Sequence, residues 1–286
     1  MRKKHLISIL LVIVLLAAAV FWFRRPLSGG KLSVLSCTVL KVGRADAIVI
    51  ESGSHVMVID AGEEEDGQEV VDFLKDKGIL QVDVLLITHF DKDHVGGADT
   101  LIEQIPVIRV LMPDYEGVIA EYRDFMAALG RCGIATERVG ETLDFPLGDA
   151  LVHVIPPGDS VRPEGLIDYD NDLSLVTSVT HGVNRLLFTG DIEKSRIREM
   201  IGRGELEKCD FLKVPHHGVY NTALNELLEI VKPRYAAITS SAKNPADSLT
   251  LEVLKACGAE VLETRFGKIT LISNGSRIEM HQKVKH

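Results

Sequence analysis

Cysteine is sparse in this sequence and follows no spacing rule. Cys37, Cys132, Cys209 and Cys257 lie far apart, with no C-x-x-C pair. That excludes a zinc-ribbon site and a disulfide-built scaffold, and a chain of 286 residues can bury enough core to need neither. The four are expected to pack as small hydrophobes. Repeats and low-complexity tracts are absent as well. A charged fraction of 26% beside 46% hydrophobic residues excludes a disordered chain. Basic residues are also in deficit. Residues 1–31 hold six Lys and Arg with no acid, which leaves 26 bases against 41 acids in residues 32–286, a net −15. A body that acidic has no overall pull on a polyanion, so any nucleic-acid contact has to come from a local basic feature.

Long apolar runs are missing too, with one exception. Leu6 to Phe23 is apolar except for Ser8, and it is flanked by Arg2-Lys3-Lys4 and Arg24-Arg25-Pro26. Its length fits the roughly 17–25 residues a membrane-crossing helix needs, and Trp22 falls where an interfacial aromatic belongs. No small-x-small exit follows Ala17-Ala18-Ala19, and no lipobox cysteine lies nearby, so an uncleaved anchor is expected. The organisation read from this is a basic tail (1–5), a transmembrane anchor (6–23), a Leu27-Ser28-Gly29-Gly30 linker within 24–31, and a folded domain over 32–286. The simplest topology places that domain outside the cell membrane.

In the domain, apolar runs and alternations predict strands near 32–41, 46–51, 55–60, 82–88, 107–112, 150–155, 173–180, 185–189, 211–214, 235–239, 261–263 and 269–273. Helices are predicted over 67–77, with Val70, Val71 and Leu74 on one face, and near 117–130, 193–201, 222–231 and 248–256. Clustered strands followed by strand–helix alternation predict layered α/β with two sheets.

One segment carries the chemistry. Val84-Leu-Leu-Ile-Thr-His89-Phe-Asp91-Lys-Asp93-His94-Val-Gly96-Gly97 ends an apolar strand in four metal-competent side chains just before two glycines. Imidazoles and carboxylates at this density repel or compete for protons unless a cation lies between them. Asp191, after the apolar Phe188-Thr189-Gly190, and His216-His217-Gly218, after Phe211–Val214, end other strands in the same way. The remaining histidines (His5, His55, His153, His181, His281 and His286) read as strand or tail residues.

His89-x-Asp91-x-Asp93-His94 resembles the metal motif of metallo-β-lactamase-fold hydrolases, whose commoner form is His-x-His-x-Asp-His. With Val-Gly-Gly after it, it is similar to the extracellular hydrolase domain of ComEC-type competence proteins. Val42-Gly43-Arg44-Ala45-Asp46-Ala47 resembles that group's Val-Gly-Gln-Gly-Asp-Ala, and Val58-Ile59-Asp60-Ala61-Gly62 resembles its Ile-Asp-x-Gly turn. Asn171-Asp172-Leu173-Ser174-Leu175-Val176, Thr189-Gly190-Asp191 and Leu212-Lys213-Val214-Pro215-His216-His217-Gly218 follow in the expected order. The resemblance implies an αββα metallo-β-lactamase sandwich behind a single transmembrane helix, with one or two divalent ions, Zn²⁺ or Mn²⁺. It implies that His89 and Asp91 bind one ion, Asp93 and His94 another, and that Asp191 bridges them, with one of His216 and His217 facing the site.

Two departures stand out. The third metal position falls at Asn171 or Asp172, and Ser248 in Asp247-Ser248-Leu249 stands where the group carries Gly-His-Pro. Asp172 and Asp247 are the candidate replacements. The expected activity is hydrolysis by a metal-activated hydroxide, with Asp93 orienting it and His217 stabilising developing charge. The expected substrate is a phosphodiester, with single-stranded DNA as one candidate partner. A small carboxyl ester, lactone or cell-envelope phosphodiester is the alternative, and a metal-depleted binding module is a third reading.

Overall fold

The computed structural model of the chain describes residues 32–158 and 170–283. The tail, anchor and linker expected over 1–31 lie outside those residues. Among the described residues, no helix is long and apolar enough to cross a membrane.

The first part of the domain runs β1 (Leu35–Val39), β2 (Ala47–Ser52), β3 (His55–Ala61), α1 (Gly67–Asp76), β4 (Val82–Leu86), α2 (Lys92–Val95), α3 (Ala98–Gln104), β5 (Val107–Pro113), α4 (Ala120–Cys132) and β6 (Thr136–Val139). The second part runs β7 (Leu143–Leu147), β8 (Ala150–Ile155), β9 (Val176–His181), β10 (Asn184–Phe188), α5 (Lys194–Arg203), β11 (Phe211–Lys213), α6 (Ala223–Val231), β12 (Tyr235–Ile238), α7 (Ser248–Ala256), β13 (Glu260–Glu263), β14 (Ile269–Ser273) and β15 (Ile278–Gln282). They form two sheets, ordered β15-β14-β1-β2-β3-β4-β5-β6 and β13-β12-β11-β10-β9-β8-β7.

The layering follows from how each strand divides its side chains. In β3, Met57 and Ile59 face the opposite sheet while Val56 and Val58 face outward against helices. A strand buried on both faces reads as a continuous apolar run, which is why β2 to β5 are legible without alternation. Helix α1 closes the first outer layer with Val70, Val71 and Leu74, each contributing about 1.5–3 kcal/mol by burial. Helices α5, α6 and α7 cover the other sheet. The result is the expected αββα order.

The strands missed by the sequence reading share one property: β6, β15 and β7 are all outermost in their sheets. An edge strand buries one face, and Leu143–Leu147 even carries Pro146, which an edge tolerates because no ladder bond is lost. Helix α3 was missed because its seven residues include Asp99, Thr100 and Glu103. All four cysteines are free, but only Cys37 and Cys209 are buried. The expectation of four buried thiols therefore fails at Cys132 and Cys257, which lie at the exposed C-terminal ends of α4 and α7.

Strands β3, β4 and β5 run parallel, as do β10, β11 and β12. Their carboxyl ends open on one rim of the sandwich, where loops rather than strands decide the side chains.

Candidate metal centre

On the first sheet the organising residue is Asp60, the next-to-last residue of β3, in a left-handed conformation (φ 57°). Its carboxylate accepts the Thr88 amide (2.7 Å) and the Thr88 hydroxyl (2.7 Å), which pins the start of the His89–His94 loop. Helix α2 then turns His94 inward, where its Nδ1 lies 2.8 Å from Asp60. The two glycines that follow allow the close approach. A Cβ on Gly97 would lie 2.4 Å from the Ala61 carbonyl oxygen, and one on Gly96 2.6 Å from the Glu64 nitrogen. A Gly-Gly pair is what this packing demands.

On the second sheet, Gly190 (φ 54°) turns the chain after β10, and the Asp191 amide donates to Ser174 Oγ at 3.2 Å. After β11, His216 and His217 are both left-handed (φ 47° and 51°). This turn sends the two rings apart. His217 is buried and points into the rim, while His216 reaches Glu193 at 2.9 Å.

The two halves meet in one cluster. The ligand-capable atoms of Asp93, His94, Asp191 and His217 all lie within 4.8 Å of one another. His217 Nε2 is 2.9 Å from Asp191 and 3.2 Å from Asp93, and His94 Nε2 is 3.3 Å from both Asp191 and His217 Nε2. Three hydrogen-bond chains decide where the ring protons sit. Thr239 donates its only hydroxyl proton to Asp46 (2.7 Å), so its oxygen accepts from His217 Nδ1–H (2.8 Å). Thr88 donates its hydroxyl proton to Asp60, so its oxygen accepts from His89 Nδ1–H (3.0 Å). His94 Nδ1–H donates to Asp60 directly. In each ring Nε2 is the atom left facing the rim, and its lone pair is available to a cation once any proton it carries is displaced.

Those lone pairs test whether a cation fits. His89 Nε2 is buried without a hydrogen-bond partner, and its nearest charged neighbour is Asp91 at 3.7 Å. His94 and His217 Nε2 face each other and two carboxylates. The cluster and its backing hold four carboxylates (Asp46, Asp60, Asp93 and Asp191) and one ammonium, Lys213, which is buried and lies 2.5 Å from Asp46 and 3.4 Å from Asp191. A donor set of imidazole nitrogens and carboxylate oxygens, with every Nδ1 anchored behind it, fits a divalent cation.

The electrostatics carry the same message. Burial disfavours charge on His94, yet Asp191 and Asp60 outweigh it and raise its pKa well above the usual value. Burial likewise opposes a charged His217, but Asp191 and Asp93 raise its pKa. Burial also works against the Asp191 carboxylate, while His217, His94 and Lys213 hold it ionised, well below the ordinary carboxylate range. The rim draws in positive charge, as protons or as metal.

Of the residues singled out in the sequence, Asp93, His94, Asp191 and His217 come together. His89 and Asp91 sit side by side next to them. Asp172 stands apart: its carboxylate accepts the Glu193 amide (2.7 Å) at the start of α5. Asp247 accepts the Tyr220 amide (2.9 Å) at the start of α7. His216 pairs with Glu193 and is not one of the four converging residues. Asp46, Asp60 and Lys213 had been noted only as parts of motifs, and Thr88 and Thr239 carried no signal beyond strand-end position.

The Metallo-beta-lactamase superfamily signature matches residues 40–240. ComE operon protein 3 of Bacillus subtilis (strain 168) is 32% identical over 181 residues, covering 62% of this chain and 22% of that protein. Recombination protein 2 of Haemophilus influenzae is 30% identical over 211 residues, covering 72% of this chain and 24% of that protein. The chain thus spans about a quarter of the length of these curated relatives. Among solved structures, Igni18, a metallo hydrolase from Ignicoccus hospitalis, superposes with a TM-score of 0.51 at 16% identity, over 83% of this chain and 98% of that one. At that identity the likeness concerns the fold alone.

Proposed function

The chain belongs to the metallo-β-lactamase superfamily, and from that premise we propose that it is a metal-dependent phosphodiesterase. The convergence of Asp93, His94, Asp191 and His217 from two sheets onto one point carries the proposal. These four residues would hold one divalent ion, Zn²⁺ or Mn²⁺, and His89 with Asp91 would contribute to a second. A cation there supplies Lewis-acid chemistry, lowering the pKa of water and polarising the ester.

The protein's own groups do the rest. Thr239 and Asp60 hold His217 and His94 with their Nε2 lone pairs inward, so His217 serves as a ligand and has no proton with which to stabilise an oxyanion. Asp93 is the cluster member that also borders an open cavity, which suits it to orient the attacking water and take its proton. Lys213 remains a fixed positive charge behind Asp191 and Asp46. The relative named Recombination protein 2 makes a nucleic-acid phosphodiester the first substrate class to test. Residues 6–23 would hold the enzyme at the cell membrane.

The experiment is metal analysis of the purified full chain together with hydrolysis of bis-p-nitrophenyl phosphate under Zn²⁺ or Mn²⁺. Bound metal near stoichiometry, with turnover reduced at least about 100-fold in Asp191→Asn, is the expected result. Bound metal with turnover of carboxyl esters or lactones alone would move the chain to that substrate class. No metal under any loading condition would leave a binding module.

A further inference from the structure

Asp93 belongs both to the metal cluster and to the wall of a cavity of about 570 Å³ beside it. Two loops contribute cations to that cavity, Arg44 from the β1–β2 connection and Lys243 from the segment after β12. Both loops are fixed to the cluster by the same residue. Asp46, two positions after Arg44, donates its amide to the Asp93 carbonyl (3.0 Å) and accepts the hydroxyl of Thr239, four positions before Lys243. The two cations are therefore carried on short arms from a rigid, buried hub.

Neither cation has a partner among the described residues. Arg44 and Lys243 make no ion pair or hydrogen bond among the described residues, whereas Arg109, Arg138, Arg185 and Arg198 each hold a glutamate. The acids on the cavity wall are, by contrast, largely committed. Asp66 accepts the Glu63 amide (3.0 Å) in the turn before α1, and Glu63 pairs with Lys92 (3.5 Å). Their charge repels an anion from that side and leaves the Arg44–Lys243 side as the place where one can rest. Arg44 stands where the ComEC-type pattern has an uncharged Gln. A guanidinium and an ammonium on the wall of one cavity are the two side chains best suited to grip a phosphate there.

We propose that Arg44 and Lys243 bind a second phosphate of the substrate, adjacent to the scissile ester at the metal cluster, and so select a chain of phosphodiesters over an isolated one. The inference rests on the phosphodiesterase reading above. It also accounts for how an acidic domain engages a polyanion: through one local basic arm rather than through net charge.

The test compares thymidine 5′-(p-nitrophenyl phosphate) with the same ester bearing a 3′-phosphate, using the metal-loaded full chain. The wild type is expected to favour the 3′-phosphorylated ester about 10-fold or more in kcat/KM, chiefly through KM. R44Q and K243Q are each expected to shrink that preference several-fold. The preference should survive in R277Q, because Arg277 lies in the β14–β15 turn at the opposite end of its sheet and its guanidinium makes no ion pair among the described residues. Equal kcat/KM for the two esters in the wild type, or a preference intact in R44Q and K243Q together, overturns the proposal.

If neither ester is cleaved, the phosphodiesterase reading fails by itself, and calorimetric binding of thymidine 3′,5′-bisphosphate judges the arm separately. Binding weakened at least about 5-fold in R44Q, with a shallower salt dependence, supports the arm. Identical binding in both variants, or no binding to the wild type, overturns it.

Discussion

Thr239 has a single hydroxyl proton, and Asp46 takes it. That leaves its oxygen to fix the tautomer of His217, 22 residues earlier in the chain. Thr239→Val keeps the volume and removes both bonds. The buried His217 Nδ1–H then loses its acceptor, at about 1–3 kcal/mol, and the ring is free to turn its lone pair from the rim. Metal affinity is expected to fall about 10–100-fold, measured by chelator competition, with Thr239→Ser restoring most of it. Unchanged affinity in the valine variant would remove Thr239 from the site. This residue also marks a limit of sequence reading. His89, Asp91, Asp93 and His94 announce themselves because four polar groups at a strand end are hard to explain otherwise. A threonine at the end of a buried strand looks like any β-branched strand residue. Lys213 was hidden by the same logic, since a lysine inside an apolar run is read as an edge-facing charge until Asp46 and Asp191 are seen beside it.

At the scale of elements, the turn before α1 shows what the rim costs. Burial raises the Asp66 pKa to about 6, and the nearby Glu65, Glu63 and Glu69 add to it against the opposing bond from the Glu63 amide. In the unfolded chain the same carboxyl titrates near 3.9. Between those values the folded protein holds a proton that the unfolded one has lost, so stability drawn from Asp66 is complete below pH ~4 and lost as pH rises through ~6. Asp66→Asn keeps an oxygen to accept the Glu63 amide and removes the charge. Because the group is only half buried, the gain expected at pH 7–8 is of order 1 kcal/mol, not the full value of the shift. Urea melts of the two proteins should converge below pH ~4. An asparagine variant less stable at every pH would show that the carboxylate itself is needed there. Elements were legible where burial was two-sided, as in β3 and β4, and lost where one face met solvent, as in β6, β7 and β15. The structural roles of Asp172 and Asp247 were equally hidden, because a carboxylate that accepts a backbone amide and one that binds a metal are the same letter.

For the molecule as a whole, the metal cluster joins two halves that the sequence presents separately. Asp60, Asp93 and His94 come from the first sheet and its loops, whereas Asp191, Lys213, His217 and Thr239 come from the second. The strand–helix alternation made both sheets legible, but which strand ends would face each other depends on how the sheets stack, and no local pattern encodes that. A cation at the cluster ties the two sheets together at their rim, and its binding energy becomes folding energy. At a free metal concentration 1,000 times Kd, the stabilisation is about 4 kcal/mol, which for a chain of this size means a Tm higher by roughly 8–16 °C. Removal by EDTA should reverse the shift, and Asp191→Asn should abolish it. The shift should also depend on pH in one direction. The metal-free protein holds protons on His94 and His217, whose pKa values are raised by Asp191, and a cation has to displace them. Metal affinity therefore increases as pH rises through those values, and proton release accompanies binding, seen as a calorimetric enthalpy that varies with the buffer. A Tm indifferent to EDTA, or a buffer-independent enthalpy with no pH trend, would mean that protons rather than a metal neutralise the rim.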